Sequence, residues 1–280
     1  VAFSVMPVSM PLLFVVWATA MLALIIGGYA LVAHVEHLQA RNLFDTTKAR
    51  YFAEAGLHRV VLEMRLPDPA ARWIADGRTY AFEMDGALIE IEIVDESGKL
   101  DLNIADELTL INFMRGKGIE EAEAVALAQA IIDWRDPDDL AMPFGAEDED
   151  YRSAGYPYGA KDAYFDTVAE LQQVMGMSYQ RFRELEPAVT VYAGRTQPNA
   201  AYASADALLA LPGMTPELAA EFVAQRRSMP LGDPALSGLL TLPDGTPVMA
   251  GGGGFTYSVR SRATLPNGAY GLLEATIRIG

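Results

Sequence analysis

The chain has 280 residues, with 37 acidic against 21 basic side chains, a net charge of −16, no cysteine and three histidines. That balance argues against nucleic-acid binding through phosphates, which needs clustered Lys and Arg, and it favours divalent cations or basic partners. The missing thiols exclude disulfides, thiolate nucleophiles and sulfur-ligated zinc, and His34, His37 and His58 all lie near the N-terminus, which argues against Ser-His-Asp catalysis.

Residues 1 to 10 read as a short N-terminal segment, compatible with a degenerate leader, and Pro7 and Pro11 are expected to break the start of the following helix. Residues 11 to 33 carry no charge and exceed the roughly 20 apolar residues needed to cross a bilayer, so a retained transmembrane helix is expected. A signal peptide is the competing reading, but its apolar region is normally about 7–15 residues behind a positive start. The first basic residue, Arg41, follows the span; charge counting alone leaves the C-terminal side in the cytoplasm. From His34 to Leu66 helical periodicity continues, with Leu43, Thr47, Tyr51, Ala55, His58 and Leu62 on one face, up to a stop at Pro67, Asp68 and Pro69.

Residues 79 to 103 read as a hairpin turning at Asp85-Gly86, with near alternation of apolar and acidic residues from Leu88 to Val94. Residues 255 to 264 and 269 to 279 form a second hairpin around Asn267-Gly268, where a turn with positive φ at both central positions is expected. The two β regions, 67–102 and 231–280, are expected to join in one sheet on the stalk helix. Between them, residues 103 to 230 read as an inserted helical block, with helices at Glu120 to Trp134, Thr167 to Met175, Tyr179 to Leu185, Ser204 to Ala210 and Pro216 to Arg227. Residues 228 to 254, ending in Gly251 to Gly254, read as a return loop.

Two motifs carry chemistry. Asp133, Asp136, Asp138, Asp139, Glu147, Asp148, Glu149 and Asp150 crowd one stretch that Pro137, Pro143 and Gly145 make a loop, with Arg135 its only base. Oxygen-only ligands on such a loop suit Ca²⁺, which takes about 6–8 oxygens; an ordinary solvated acidic loop is the competing reading, and no EF-hand pattern is present. The stretch 208 to 227, with its Leu-Pro-Gly turn, looks like a helix-hairpin-helix unit. Its cations Arg226 and Arg227 sit far from that turn, and Asp206, Glu217 and Glu221 surround it, so it reads as a packed corner rather than a phosphate clamp.

The motifs RNLFDTTKARYFAEAG at 41–56, LNIADELTLINFM at 102–114, IIDWRDPDDLAMPFGAEDEDY at 131–151, VAELQQVMGM at 168–177 and TQPNAAYASADALLALPGM at 196–214, in this order, resemble the type II secretion system minor pseudopilin K family. The resemblance implies an α+β, pilin-like fold: a long transmembrane and stalk helix on a small antiparallel sheet, with a large all-α insertion between strands. It implies a non-enzymatic role at the tip of a periplasmic pseudopilus, initiating or capping assembly with I- and J-type minor pseudopilins and pseudopilus subunits for export of folded proteins. It places the anchor in the inner membrane and the C-terminal domain in the periplasm.

Pilin-type subunits carry a glutamate near the N-terminus that can neutralise the amine of the subunit ahead; here no acid precedes Glu36, which suits a top position. The family's helical domain is also associated with calcium near the acidic motif, which makes Asp136, Asp138, Glu147 and Asp148 the expected ligands, with Asp150 and Asp162 as further candidates. Leu43, Phe44, Tyr51 and Leu62 are the expected partner contacts on the stalk. A DNA-binding membrane protein of an uptake pilus and a metal-dependent membrane-anchored hydrolase are the alternatives.

Overall fold

The computed structural model describes residues 9–68, 71–228, 241–243, 245 and 253–280. The segment 1–8 of the expected leader, Pro69, and most of the return loop, including 229–240 and Gly251–Gly252, lie outside the described residues.

One helix, α1 (Ser9–Met64), runs through both the apolar stretch and the stalk without interruption. At 1.5 Å per residue its 56 residues extend about 84 Å. Pro11 does not break it, contrary to the sequence-based expectation: it lies in the first turn, where a missing N–H has no helical acceptor to lose.

A four-stranded sheet follows, in the order β1 (Asp76–Met84), β2 (Ala87–Asp95), β5 (Thr256–Thr264) and β6 (Tyr270–Arg278). β1 and β2 are joined by Asp85 and Gly86, both at positive φ (47° and 78°), as a two-residue primed turn requires. β5 and β6 pair antiparallel at the end of the chain, and β5 pairs with β2 from Leu88↔Thr264 to Asp95↔Tyr257. The distant hairpins therefore close one antiparallel sheet.

The second turn departs from expectation. Among residues 265–269 only Gly268 has positive φ, and its N–H donates to Leu265 O at 2.9 Å. Pro266 fixes a negative φ at the first turn position, so the chain makes an ordinary turn closed by a left-handed glycine instead of a primed Asn-Gly turn.

One sheet face is dry. Ala87, Ile89, Ile91 and Ile93 of β2 and Ala263 of β5 are fully buried against Ala49, Ala53 and Val60 of α1. Burial of an Ile side chain contributes roughly 1.5–3 kcal/mol, so this layer is the main bond between stalk and sheet. The approach is closest at Gly271, where a Cβ would sit 2.6 Å from Ala49 C and Arg50 N. The opposite face is wet and charged: Glu90 and Glu92 of β2 lie across from Arg262 and Arg260 of β5, and Arg260 pairs with Glu274 of β6 at 3.3 Å.

Between β2 and β5 the chain builds the helical block. A short parallel bridge of β3 (Leu100–Asp101) with β4 (Val189–Thr190) ties its beginning to its later part. α2 (Glu107–Gly116), capped by Asp106 through Thr109 N–H, packs on α3 (Glu121–Arg135). α4 (Asp148–Ser153), α5 (Tyr179–Leu185), α6 (Ala205–Leu208) and α7 (Pro216–Ser228) complete it, with a 3₁₀ turn at Val168–Gln173. Their shared core contains Leu102, Leu110, Phe113, Leu127, Ile131, Trp134, Tyr151, Leu171 and Leu208. The Leu-Pro-Gly stretch is a packed corner there: Leu208 to Leu211 are buried and Gly213 turns at φ 73°.

Candidate functional site: the acidic loop and the free face of the stalk

α3 carries Trp134 into the helical core and with it Asp133, whose side chain has no exposure at all. The chain then loops from Asp136 to Glu147 and re-enters a helix. Residues 148–153 are α4, not loop as expected: three acids in its first turn, Asp148, Glu149 and Asp150, complement the positive end of the helix dipole. Asp150 accepts from Glu147 N–H at 3.0 Å and so caps α4. From the other side the segment 155–163 returns over α4, so close at Gly159 that any Cβ would enter the Asp148 carboxylate.

The six expected ligands divide by what holds them. Asp138 accepts from Leu140 N–H at 2.9 Å, Asp150 serves the cap, and exposed Asp148 lies 3.9 Å from Arg152. Asp136, Glu147 and Asp162 differ: each buries one carboxylate oxygen, Asp136 Oδ1, Glu147 Oε1 and Asp162 Oδ1, with no hydrogen-bond partner. Asp162 is also held at φ 53°, a left-handed conformation uncommon outside glycine.

Electrostatics link Glu147 and Asp136 to Asp133, and Asp162 to Glu147 and Asp136. Burial pushes Glu147 up to about 7, and the neighbouring charges of Asp133, Asp162, Asp136 and Asp139 add to the rise. Burial raises Asp133 to about 6, assisted by Asp136 and Asp150 against the N–H groups of Met142 and Ala146. Asp136 and Asp162 are raised as well, first by burial and then by other carboxylates. Arg135, the nearest base in sequence, turns away and donates to the carbonyls of Leu102 and Ala105.

Among the described residues no three His, Cys, Asp or Glu side chains converge tightly enough to form a ready metal-binding group. The loop therefore fits a cation in charge and in unmet acceptor capacity, not in preformed convergence. Asp133 was absent from the expected ligands, although its place on the apolar side of a regular helix marks it as a buried acid.

The second candidate surface is on α1. Leu43, Phe44, Tyr51 and Leu62 are 66–70% exposed. At about 100° per residue, Phe44, Tyr51 and Leu62 project within about 20° of one another and nearly opposite the Ala49–Ala53–Val60 face. The stalk thus has two apolar sides, one on the sheet and one bare. Arg226 and Arg227 of α7 are not available to a phosphate: Arg226 lies 3.7 Å from the buried Asp76 carboxylate and donates to Ala200 O and Ala203 O, and Arg227 donates to Asp76 O.

Comparison with known proteins adds to this geometry. Residues 94–194, which hold the acidic loop and three of the motifs noted above, match the family model described as Type II secretion system (T2SS), protein K. The Type II secretion system protein K of Pectobacterium carotovorum subsp. carotovorum is 27% identical over 138 residues, 40% of this chain and 42% of that protein. The protein of the same name from Aeromonas hydrophila is 38% identical over 72 residues, 25% of this chain and 22% of that protein. The matched part thus spans less than half the length of these curated relatives. A chain of the crystal structure of the GspK-GspI-GspJ complex from the enterotoxigenic Escherichia coli type 2 secretion system superposes with TM-score 0.51 at 17% identity, over 89% of this chain and 94% of that one. The fold is thus the α+β one expected: a long apolar N-terminal helix, an antiparallel sheet and a helical insertion.

Proposed function

We propose that this chain is a minor pseudopilin of the K type, a non-enzymatic subunit at the tip of a type II secretion pseudopilus. It initiates or caps assembly with I- and J-type subunits for export of folded proteins across the outer membrane. The observation that carries this reading is the bare apolar side of α1, with Phe44, Tyr51 and Leu62 in line and left exposed by the described residues. A soluble protein gains nothing from such a stripe; a subunit that packs its stalk against other stalks needs one. The 25 positions of α1 from Ser9 to Ala33 hold no ionisable side chain except Tyr29, as suits a membrane span, and no carboxylate there could meet the amine of a subunit ahead. Location in the inner membrane, with the sheet and helical block in the periplasm, follows from the same reading.

The absence of cysteine offers a direct test. A single cysteine replacing Phe44 or Tyr51 should form oxidative cross-links to cysteines placed on the stalks of I- and J-type partners. Cysteine at Val60, on the sheet side of the helix and fully buried, should link far less. Equal linking at all positions, or none, would remove the stalk interface from the reading.

We also propose that the acidic loop binds calcium. Asp136, Glu147 and Asp162, with buried oxygens unpartnered, would hold the ion together with Asp133, and Asp148 could join them from the surface. A bound Ca²⁺ supplies compensating charge and cross-links three separate stretches of chain, which stabilises the helical block. Thermal unfolding of the full chain in detergent should shift upward with calcium against chelator. No shift for the wild-type chain would reject the site and leave the loop as a solvated acidic turn.

A further inference from the structure

The exposed stalk has a second part with different chemistry. From His34 to Phe44 every residue of α1 is exposed; the first partly buried one is Asp45, which accepts from Asn267 Nδ2 in the β5–β6 turn at 2.7 Å. In this bare neck His34, His37 and Arg41 fall within about 60° of helix circumference, and Glu36 lies more than about 100° away. At 1.5 Å per residue they stand about 1.5, 6 and 12 Å beyond Ala33, the last residue of the uncharged run. The headgroup layer on each side of a bilayer is about 5–7 Å deep.

Helical side chains lean toward the helix N-terminus, which here is the direction of the span, so the long Arg41 side chain reaches back toward that layer. Its one ion pair among the described residues, to Asp45, is long at 3.9 Å, with the Arg41 side chain 66% exposed. His34 and His37 make no hydrogen bond or ion pair among the described residues. Asp45 is already held by Asn267, so the basic edge has no strong internal partner.

We infer that His34, His37 and Arg41 form a site for the phosphate of an anionic phospholipid headgroup. Arg41 supplies fixed charge and planar donors, and the two imidazole N–H groups supply further donors from the same edge. Such a site fixes the depth and rotation of the stalk, and so turns the Phe44–Tyr51–Leu62 stripe toward neighbouring subunits. The inference rests on the reading that α1 spans a membrane.

The test uses the full chain reconstituted in vesicles of equal phosphatidylcholine and phosphatidylglycerol, then isolated in mild detergent with its retained lipid measured. Wild type should retain phosphatidylglycerol about five-fold over phosphatidylcholine, the enrichment expected for one cation near the surface. The H34A/H37A/R41A variant should retain the two lipids equally. The Lys48→Ala variant should match wild type, because Lys48 lies about 22 Å beyond Ala33 and over the Phe52 ring at 5.6 Å. Equal retention by wild type, or enrichment that survives in the triple variant, overturns the site. Flotation with purely neutral vesicles tests the span separately: wild type and triple variant should both float, and failure of both rejects the membrane reading itself.

Discussion

Asp76 and Glu147 are both buried acids, one at the start of β1 and the other at the entry to α4, and their surroundings differ in every respect that matters to charge. Asp76 faces three guanidinium groups. Burial works to raise it, but the two Arg78 hydrogen bonds, at 2.8 and 2.9 Å, and the charges of Arg78, Arg226 and Arg227 hold it below the usual carboxylate range. Glu147 is pushed up to about 7, first by burial and then by the charges of other carboxylates. The first site finds its opposite charges within the chain and joins the sheet to the helical block. The second is incomplete, and an oxygen-seeking cation from outside would resolve it.

Breaking the first site should cost most. Asp76→Asn leaves Arg226, whose side chain is 9% exposed and whose Nε and Nη2 already lack hydrogen-bond partners, without its one carboxylate partner among the described residues. Loss of about 3–5 kcal/mol of stability is expected from denaturant unfolding, because an uncompensated buried charge remains. A loss under about 1 kcal/mol would mean that the three arginines are better hydrated than their burial indicates.

Next comes the stalk–sheet contact, which involves no charge. Gly271→Ala places a methyl 2.6 Å from the α1 backbone, where neither side can give by rotating a side chain. Overpacking of this kind costs about 1–3 kcal/mol, read as a lower Tm.

The incomplete site should respond to pH in chelator. Glu147 and Asp133 bind protons more tightly folded than unfolded, so between about pH 4 and 7 the native state holds more protons. Stability then falls as pH rises through that window and levels off above it, by about 2 kcal/mol in all given the coupling of the two acids. Calcium should oppose the fall, since it binds the ionised carboxylates. Glu147→Gln should raise Tm in chelator and lose most of the calcium effect, by about 1 kcal/mol in each direction. Calcium stabilisation that is equally large in Glu147→Gln and wild type would exclude Glu147 as a ligand.

Local chemistry made the hairpins legible: Asp85-Gly86 demanded positive φ, and alternation along Leu88 to Val94 named the inward Ile residues. It misread the second turn because Pro266, one residue upstream, overrides the Asn-Gly preference. α2 went unnoticed because its ten residues are short and mixed in character, although Asp106 supplies a regular cap. α4 was hidden by its acids, which read as a solvated run until the helix dipole is considered. The Asp76–Arg226 contact was out of reach, since its partners lie far apart in sequence and nothing local to either names the other. The acidic cluster was visible as composition; which oxygens stay unpartnered depends on the return of Asp162 across α4, a property of packing.

Assembly through the bare side of the stalk can be measured by co-purification of the full chain with I- and J-type minor pseudopilins. The comparison is between wild type and the Phe44→Glu, Tyr51→Glu and Leu62→Glu variants, in calcium and in chelator. Because these side chains are exposed, the variants should keep the wild-type Tm within about 0.5 kcal/mol of stability and yet lose the complex. Complex formation by all three charged variants, with partners shown to be folded, would contradict assembly through this side of the stalk.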